Sequence, residues 1–146
     1  MLLCKRFFTD DHTALEVLND GMIKVFKKIN TYKPEKGDFF NWMYTVVRNT
    51  ALDKLKLSGI PVVADLNGSS VFDPAENPFQ SLEWKDIYML LDKLPPSTRA
   101  VCALFYLEGY LINEISEQLS LTAGTVKWHL HEGRKKLKPV LEKYYS

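Results

Sequence analysis

Seven side chains near the C-terminus have the types and spacing to grip a polyanion: Thr125, Lys127, Trp128, His131, Arg134, Lys135 and Lys138. Lys127, His131, Arg134 and Lys138 follow steps of four, three and four, with Trp128 and Lys135 beside them and Thr125 at the helix start, while Val126, Leu130 and Leu137 take the buried side. Cations at helical spacing suit phosphates, and polar side chains near a helix N-terminus suit base edges. Thr122, Ala123 and Gly124 are small, so the helix end can approach a phosphate that its unpaired N–H groups would favour. Glu132 lies inside the basic run and opposes close contact with an anion there. Trp128 fits either a contact with bases or sugars or a place in the core. The competing reading of the whole stretch is a surface helix with solvated lysines.

A second constellation is aromatic: Tyr32, Phe39, Phe40, Trp42 and Tyr44, interleaved with Lys33, Lys36, Arg48, Asn49, Lys54 and Lys56. Unpaired bases stack on rings while their phosphates meet cations, and a side-chain amide can bond a base edge. Phe40 and Trp42 are equally compatible with core packing. No phosphate-binding glycine loop, nucleophile elbow or HExxH motif is present, so an enzyme is the class the sequence favours least, and no catalytic residue is expected. Cys4 and Cys102 form no CxxC pair, and His129 and His131 are two apart, which points them to different helix faces. No metal and no cofactor are expected.

The elements that must position these residues read as helices throughout, with no period-2 runs, so the expected fold class is all-α. From Ala14 to Ile29, Leu15, Leu18, Met22, Val25, Phe26 and Ile29 predict an inward stripe, with Thr13 or Asp11 as cap and Gly21 marking a close helix contact. A loop over residues 30–38 precedes a helix from Phe39 to Lys56, with Phe40, Met43, Val46, Val47, Ala51, Leu52 and Leu55 as its apolar set. Residues 58–81, rich in Gly, Ser and Pro, predict a flexible linker between domains at 1–57 and 82–146. In the second domain, Leu82, Ile87, Leu90, Leu91 and Leu94 form one stripe. Pro95-Pro96 stops it, Ser97 caps a helix carrying Val101, Leu104, Phe105 and Leu107, and Gly109 ends that helix. A short helix then carries Ile112, Ile115 and Leu119. Leu121 plugs a tight turn, Thr122 caps, and a long helix runs to about Tyr144, with Pro139 expected to kink or end it. Short helix, tight turn and second helix make a helix-turn-helix.

The net charge of +1 conceals an asymmetry. Residues 1–56 carry +3, residues 57–97 carry −4, residues 98–124 carry −2, and residues 125–146 carry +4. Basic ends around an acidic middle suit a polyanion that touches both ends. No segment has the roughly 18 consecutive apolar residues of a membrane span, and the first residues lack the order of a signal peptide. A cytoplasmic location with no membrane insertion is expected.

With both constellations in place, the sequence resembles a bacterial RNA polymerase sigma factor of the extracytoplasmic-function group, and most of all the branch common in Bacteroidetes. Ala14 to Phe26 is similar to the family's core-polymerase-binding helix, and Tyr32 to Asp53 to its −10 region. Leu94 to Arg99, Glu108-Gly109-Tyr110 and Glu114-Ile115 resemble the opening of its −35 domain, and Gly124 to Leu137 its recognition helix. The resemblance implies that Glu16, Asn19 and Asp20 contact the polymerase. It implies that Tyr32, Gly37 and Phe39 capture a flipped base of the −10 element, with Asn49 contacting that element beside Arg48. It places Thr125, Lys127, Trp128 and His131 on the −35 major groove, with Arg134 and Lys135 beside them. Core RNA polymerase and promoter DNA are the implied partners, together with an anti-sigma factor in many members, and the polymerase performs the chemistry. Family members begin with a further helix before the match to Cys4-Lys5-Arg6-Phe7. The resemblance therefore implies a shortened first domain with Leu15, Leu18 or Met22 exposed. Two other functions remain open: a sigma-like decoy or adaptor that binds a regulator, and a plain helix-turn-helix regulator acting without polymerase.

Overall fold

The computed structural model describes residues 2–57, 77–80 and 82–145. Among them every regular element is helical, and the chain divides into two units, residues 1–59 and 60–146. Most of the linker assigned from sequence, residues 58–76 and 81, lies outside the described residues.

The first unit holds α1 (Leu2–Lys5), α2 (Asp11–Lys27) and α3 (Phe39–Leu57), with 3-10 turns at Ile29–Thr31 and Pro34–Lys36. Asp10 caps α2, in place of the expected Thr13 or Asp11. Its carboxylate accepts from the backbone N–H groups of His12 and Thr13 at 3.3 and 3.0 Å. The Thr13 hydroxyl donates to the same carboxylate at 2.7 Å and, with these amides, holds its pKa below the usual value. The buried line of α2 is Ala14, Val17, Gly21 and Val25. This corrects the expected stripe: Leu15, Phe26 and Ile29 are exposed, and Leu18 and Met22 are half-buried. Gly21 supplies the reason. A Cβ on it would stand 3.1 Å from the Val47 Cα, so α2 turns its small residues toward α3 and its bulky ones away. From α3, Val47, Ala51, Leu52 and Leu55 enter the core, whereas Phe40 is 63% exposed. Cys4 and Phe7 complete the core beside α2, and burial raises the pKa of the Cys4 thiol.

The second unit holds α4 (Trp84–Leu91), α5 (Pro96–Cys102) running into a π-helical turn (Ala103–Leu107), α6 (Ile112–Leu119) and α7 (Ala123–Tyr145). Of the expected stripe, Ile87, Leu90, Leu91 and Leu94 are buried, whereas Leu82 precedes α4 and is half-buried. Pro95 occupies the cap position of α5 and Pro96 its first turn, so Ser97 lies inside the helix. Proline suits a first turn because the N–H it lacks would be unpaired anyway. The π-helical turn, with the Glu108 N–H donating to the Ala103 carbonyl, was not legible from apolar spacing. Gly109 ends it at φ +74°. Arg99 is 2% exposed and bonds Asp92 at 2.6 Å, an ion pair that pattern reading missed.

The helix-turn-helix is formed as expected. Ser120 takes the left-handed conformation (φ +55°), Leu121 is buried and plugs the turn, and the Ser116 hydroxyl donates to the Leu121 carbonyl. Thr122 starts α7, its Oγ1 accepting from the Thr125 N–H at 3.1 Å. α7 packs on α5 and α6 through Val126, Leu130 and Leu137. It continues through Pro139 to Tyr145, so the proline neither ends it nor sits in the packed face.

Candidate nucleic-acid interface

Asp38 builds the start of α3: its Oδ1 accepts from the Asn41 N–H at 2.8 Å and its carbonyl from the Trp42 N–H at 3.2 Å. This fixes Phe39 and Trp42 beside the preceding loop. Gly37 takes the glycine-favouring φ of +146°, and the Tyr32 hydroxyl donates to its carbonyl at 2.9 Å, which staples the loop shut. The Tyr32 ring meets Phe39 edge-on at 5.3 Å and Trp42 at 5.5 Å, and Phe39 meets Trp42 at 5.7 Å. Beside this cluster opens a pocket of about 520 Å³ lined by residues that include Tyr32, Lys33, Lys36, Gly37, Asn41 and Trp42. It offers ring surface to a flat group, with two lysines at the rim for its phosphates.

Of the residues singled out from sequence for this site, Tyr32 and Gly37 line the pocket, and Phe39 supports its rings. Arg48 and Asn49 lie further along α3, outside the lining, with Asn49 exposed. Phe40 and Trp42 are not core residues: Phe40 is exposed on Tyr44, and Trp42 is half-buried. Sequence reading missed Thr31, Asn41 and Thr45 in the lining. Asp38 and Asn41, three apart, carried the signal of a helix cap, whereas Thr31 and Thr45 carried none.

On α2, Glu16, Asn19 and Asp20 are all exposed. Glu16 also reaches Lys54 of α3 at 3.8 Å. Asp20 lines a groove of about 300 Å³ between α2 and α3, with Val17 and Ile23 as apolar neighbours.

On α7, Lys127 and Lys135 are exposed, and Trp128, His131 and Arg134 are half-buried, all at spacings that keep a common outer face. Thr125 is a correction. It is 2% exposed, with its hydroxyl 2.8 Å from that of Thr122. Its role is to close the first turn of the helix, and it does not face a groove. Thr125 stands one turn before the buried His129, on the side of α7 that meets the core. Beneath the helix, His129 is buried, its Nδ1 2.9 Å from the Thr98 hydroxyl. Burial holds its pKa below the ordinary value, with Glu132 acting in the opposite sense. Burial pushes the Cys102 thiol up to about 12, which leaves it chemically inert.

Among the described residues no group of three potential ligands could hold a metal, and no helix is long and apolar enough to cross a membrane. The arrangement is a pocket beside an aromatic cluster on one helical unit and a helix-turn-helix with a cationic face on the other.

Comparison with known proteins agrees with that division. Residues 2–58 match the Sigma-70 region 2 family and residues 84–137 the Sigma-70 region 4 family. The chain is 31% identical to the ECF RNA polymerase sigma factor SigE of Mycolicibacterium smegmatis, over 99% of this chain and 58% of that protein. It is 25% identical to the ECF RNA polymerase sigma factor SigW of Bacillus subtilis, over 95% of this chain and 81% of the relative. It is 29% identical to the RNA polymerase sigma factor SigZ of the same organism, over 86% and 73%. With a region 2 unit and a region 4 unit in this order, the chain belongs to the sigma-70 family and is of the extracytoplasmic-function type.

Proposed function

We propose that this chain binds core RNA polymerase and directs it to promoters, reading a −35 element with α7 and holding an unpaired −10 base in the pocket beside Tyr32. The observation that carries this reading is the pairing, in one chain, of a ring-lined pocket with lysines at its rim and a helix-turn-helix with an exposed cationic face. Flipping a base out of a duplex costs a few kcal/mol. Stacking on a ring returns about 1–3 kcal/mol per base, so the pocket offsets much of that cost. Lys127, Trp128 and His131 meet the major groove, with Arg134 and Lys135 toward phosphates. Tyr32, Gly37 and Phe39 form the base pocket, while Arg48 and Asn49 meet the strand that leads to it. Glu16, Asn19 and Asp20 dock on the polymerase. The resemblance of the motifs to the branch common in Bacteroidetes supports that finer placement. Action on the polymerase implies a cytoplasmic location, and an anti-sigma protein is a further partner suited to this family.

The test is capture of purified core polymerase by the tagged chain. The wild type retains polymerase, and Asp20→Ala, an exposed substitution, releases most of it. Equal failure of both proteins to retain polymerase would leave only duplex binding by α7, and the sigma reading would be withdrawn.

A further inference from the structure

Residues Asn77 to Gln80, assigned to the linker by composition, are folded onto the second unit. Phe79 is 4% exposed, its ring 5.7 Å from that of Tyr106. The Asn77 Oδ1 accepts from the Phe79 N–H at 2.9 Å, and the Asn77 carbonyl from the Gln80 N–H at 3.2 Å. The segment is thus a bonded turn anchored by a buried ring. Asn77 and Pro78 form one wall of a cleft of about 570 Å³, whose other wall is α7 through His131, Arg134, Lys135 and Lys138. Leu141 and Glu142 lie at its far end. Residues 127, 131, 134 and 138 follow steps of four, three and four, so the cleft continues the stripe that begins at Lys127. That stripe is about 16 Å long at 1.5 Å per residue.

We propose that this cleft holds the phosphodiester backbone of duplex DNA, extending the grip of the −35 unit beyond the helix to the Asn77–Gln80 turn. The inference rests on the reading of α7 as a DNA-binding helix and adds residues to it. Lys138 supplies a phosphate contact. Asn77, whose Oδ1 is taken by the turn, offers its Nδ2 amide as donor. Phe79 is a positioning residue that holds the wall in place. A phosphate run fits better than a small anion, because the cations are spread along a stripe instead of converging on one point.

The experiment measures binding of the full chain to duplex DNA across a salt series. Each neutralised phosphate contributes about 0.9 to the slope of log affinity against log salt. Lys138→Gln should lower that slope by about 0.9. Asn77→Asp keeps the acceptor that the Phe79 N–H needs but brings a carboxylate to the cleft. It should weaken binding several-fold at low salt, with the difference shrinking as salt rises. Phe79→Ala should weaken binding similarly although it removes no charge. Circular dichroism checks that each variant is folded, and Asn77→Asp and Lys138→Gln, both exposed, stand in if Phe79→Ala is not. Wild-type slopes and affinities for Lys138→Gln and Asn77→Asp, with Lys127→Ala still weakened, would overturn the cleft and leave the DNA reading intact. No effect of Lys127→Ala either would remove the DNA reading itself.

Discussion

Gly133 of α7 lies so close to Cys102 of α5 that a Cβ built on it would stand 2.5 Å from the Cys102 Sγ. That approach brings α5 and α7 together beneath the face that carries Lys127 and His131, so the placement of that face depends on a buried glycine.

Gly133→Ala should therefore destabilise the second unit by about 1–3 kcal/mol, the usual cost of overpacking, despite the better helix propensity of alanine. Cys102→Ala removes the obstructing sulfur. The double variant should recover part of the loss, and urea unfolding of the two single variants and the pair would measure the coupling. Additive losses would show that the contact is not the cause.

The buried His129 makes stability depend on pH. Its folded pKa lies below the ordinary histidine value of 6.5, chiefly through burial, so the unfolded chain takes up the proton first as pH falls. The stability tied to His129 is fully present above about 6.5 and declines as pH drops through that value toward the folded one. Unfolding midpoints for wild type and His129→Gln between pH 7.5 and roughly 5 would check this. The wild type should lose the larger share of its stability, and parallel curves would reject the assignment.

Arg99 is almost wholly buried while its partner Asp92 is about half exposed. Asp92→Ala removes a charge-assisted bond from a buried cation and should cost about 1.5–3 kcal/mol by thermal or urea unfolding. A change of a few tenths would mean that the rest of the pocket already satisfies Arg99.

Lys127 and Thr125 separate contact from support. Lys127→Ala should weaken duplex binding on every sequence and lower the salt slope by about one, with unfolding unchanged. Thr125→Ala removes a hydroxyl that bonds to the cap. It should lower stability by about 0.5–1.5 kcal/mol, the usual worth of one hydrogen bond, and leave the preference among DNA sequences intact. A switch in base preference on Thr125→Ala would restore the outward placement that its burial argues against.

Much of this was legible in the sequence because it rests on period and punctuation. The helix-turn-helix follows from Ile115, Leu119, Leu121, Val126 and Leu130, whose spacing allows few other packings, and Thr122 caps α7 as its type suggests. What could not be read depends on tertiary contact. The buried face of α2 is set by how near Val47 comes to Gly21, so the larger residues Leu15, Phe26 and Ile29 lost the core to Ala14 and Val17. Thr125 was grouped with the outer residues by its polar type, yet it stands one turn before the buried His129 and is itself buried, with its hydroxyl on that of Thr122. Phe79 sits among Asn, Pro and Gln, a composition that signals a linker, and only its ring partner Tyr106 reveals the turn. The ring cluster of Tyr32, Phe39 and Trp42 was visible as composition, but the pocket beside it needed the Tyr32–Gly37 bond to exist.

Promoter-directed transcription tests the central claim most directly. Core polymerase, the purified chain and a pool of genomic fragments should yield discrete run-off products absent from polymerase alone. Those products should fall sharply with Tyr32→Ala or Lys127→Ala, each of which disables one of the two surfaces. Unchanged products with both variants, or no product beyond that of polymerase alone while the chain is bound to it, would contradict the account.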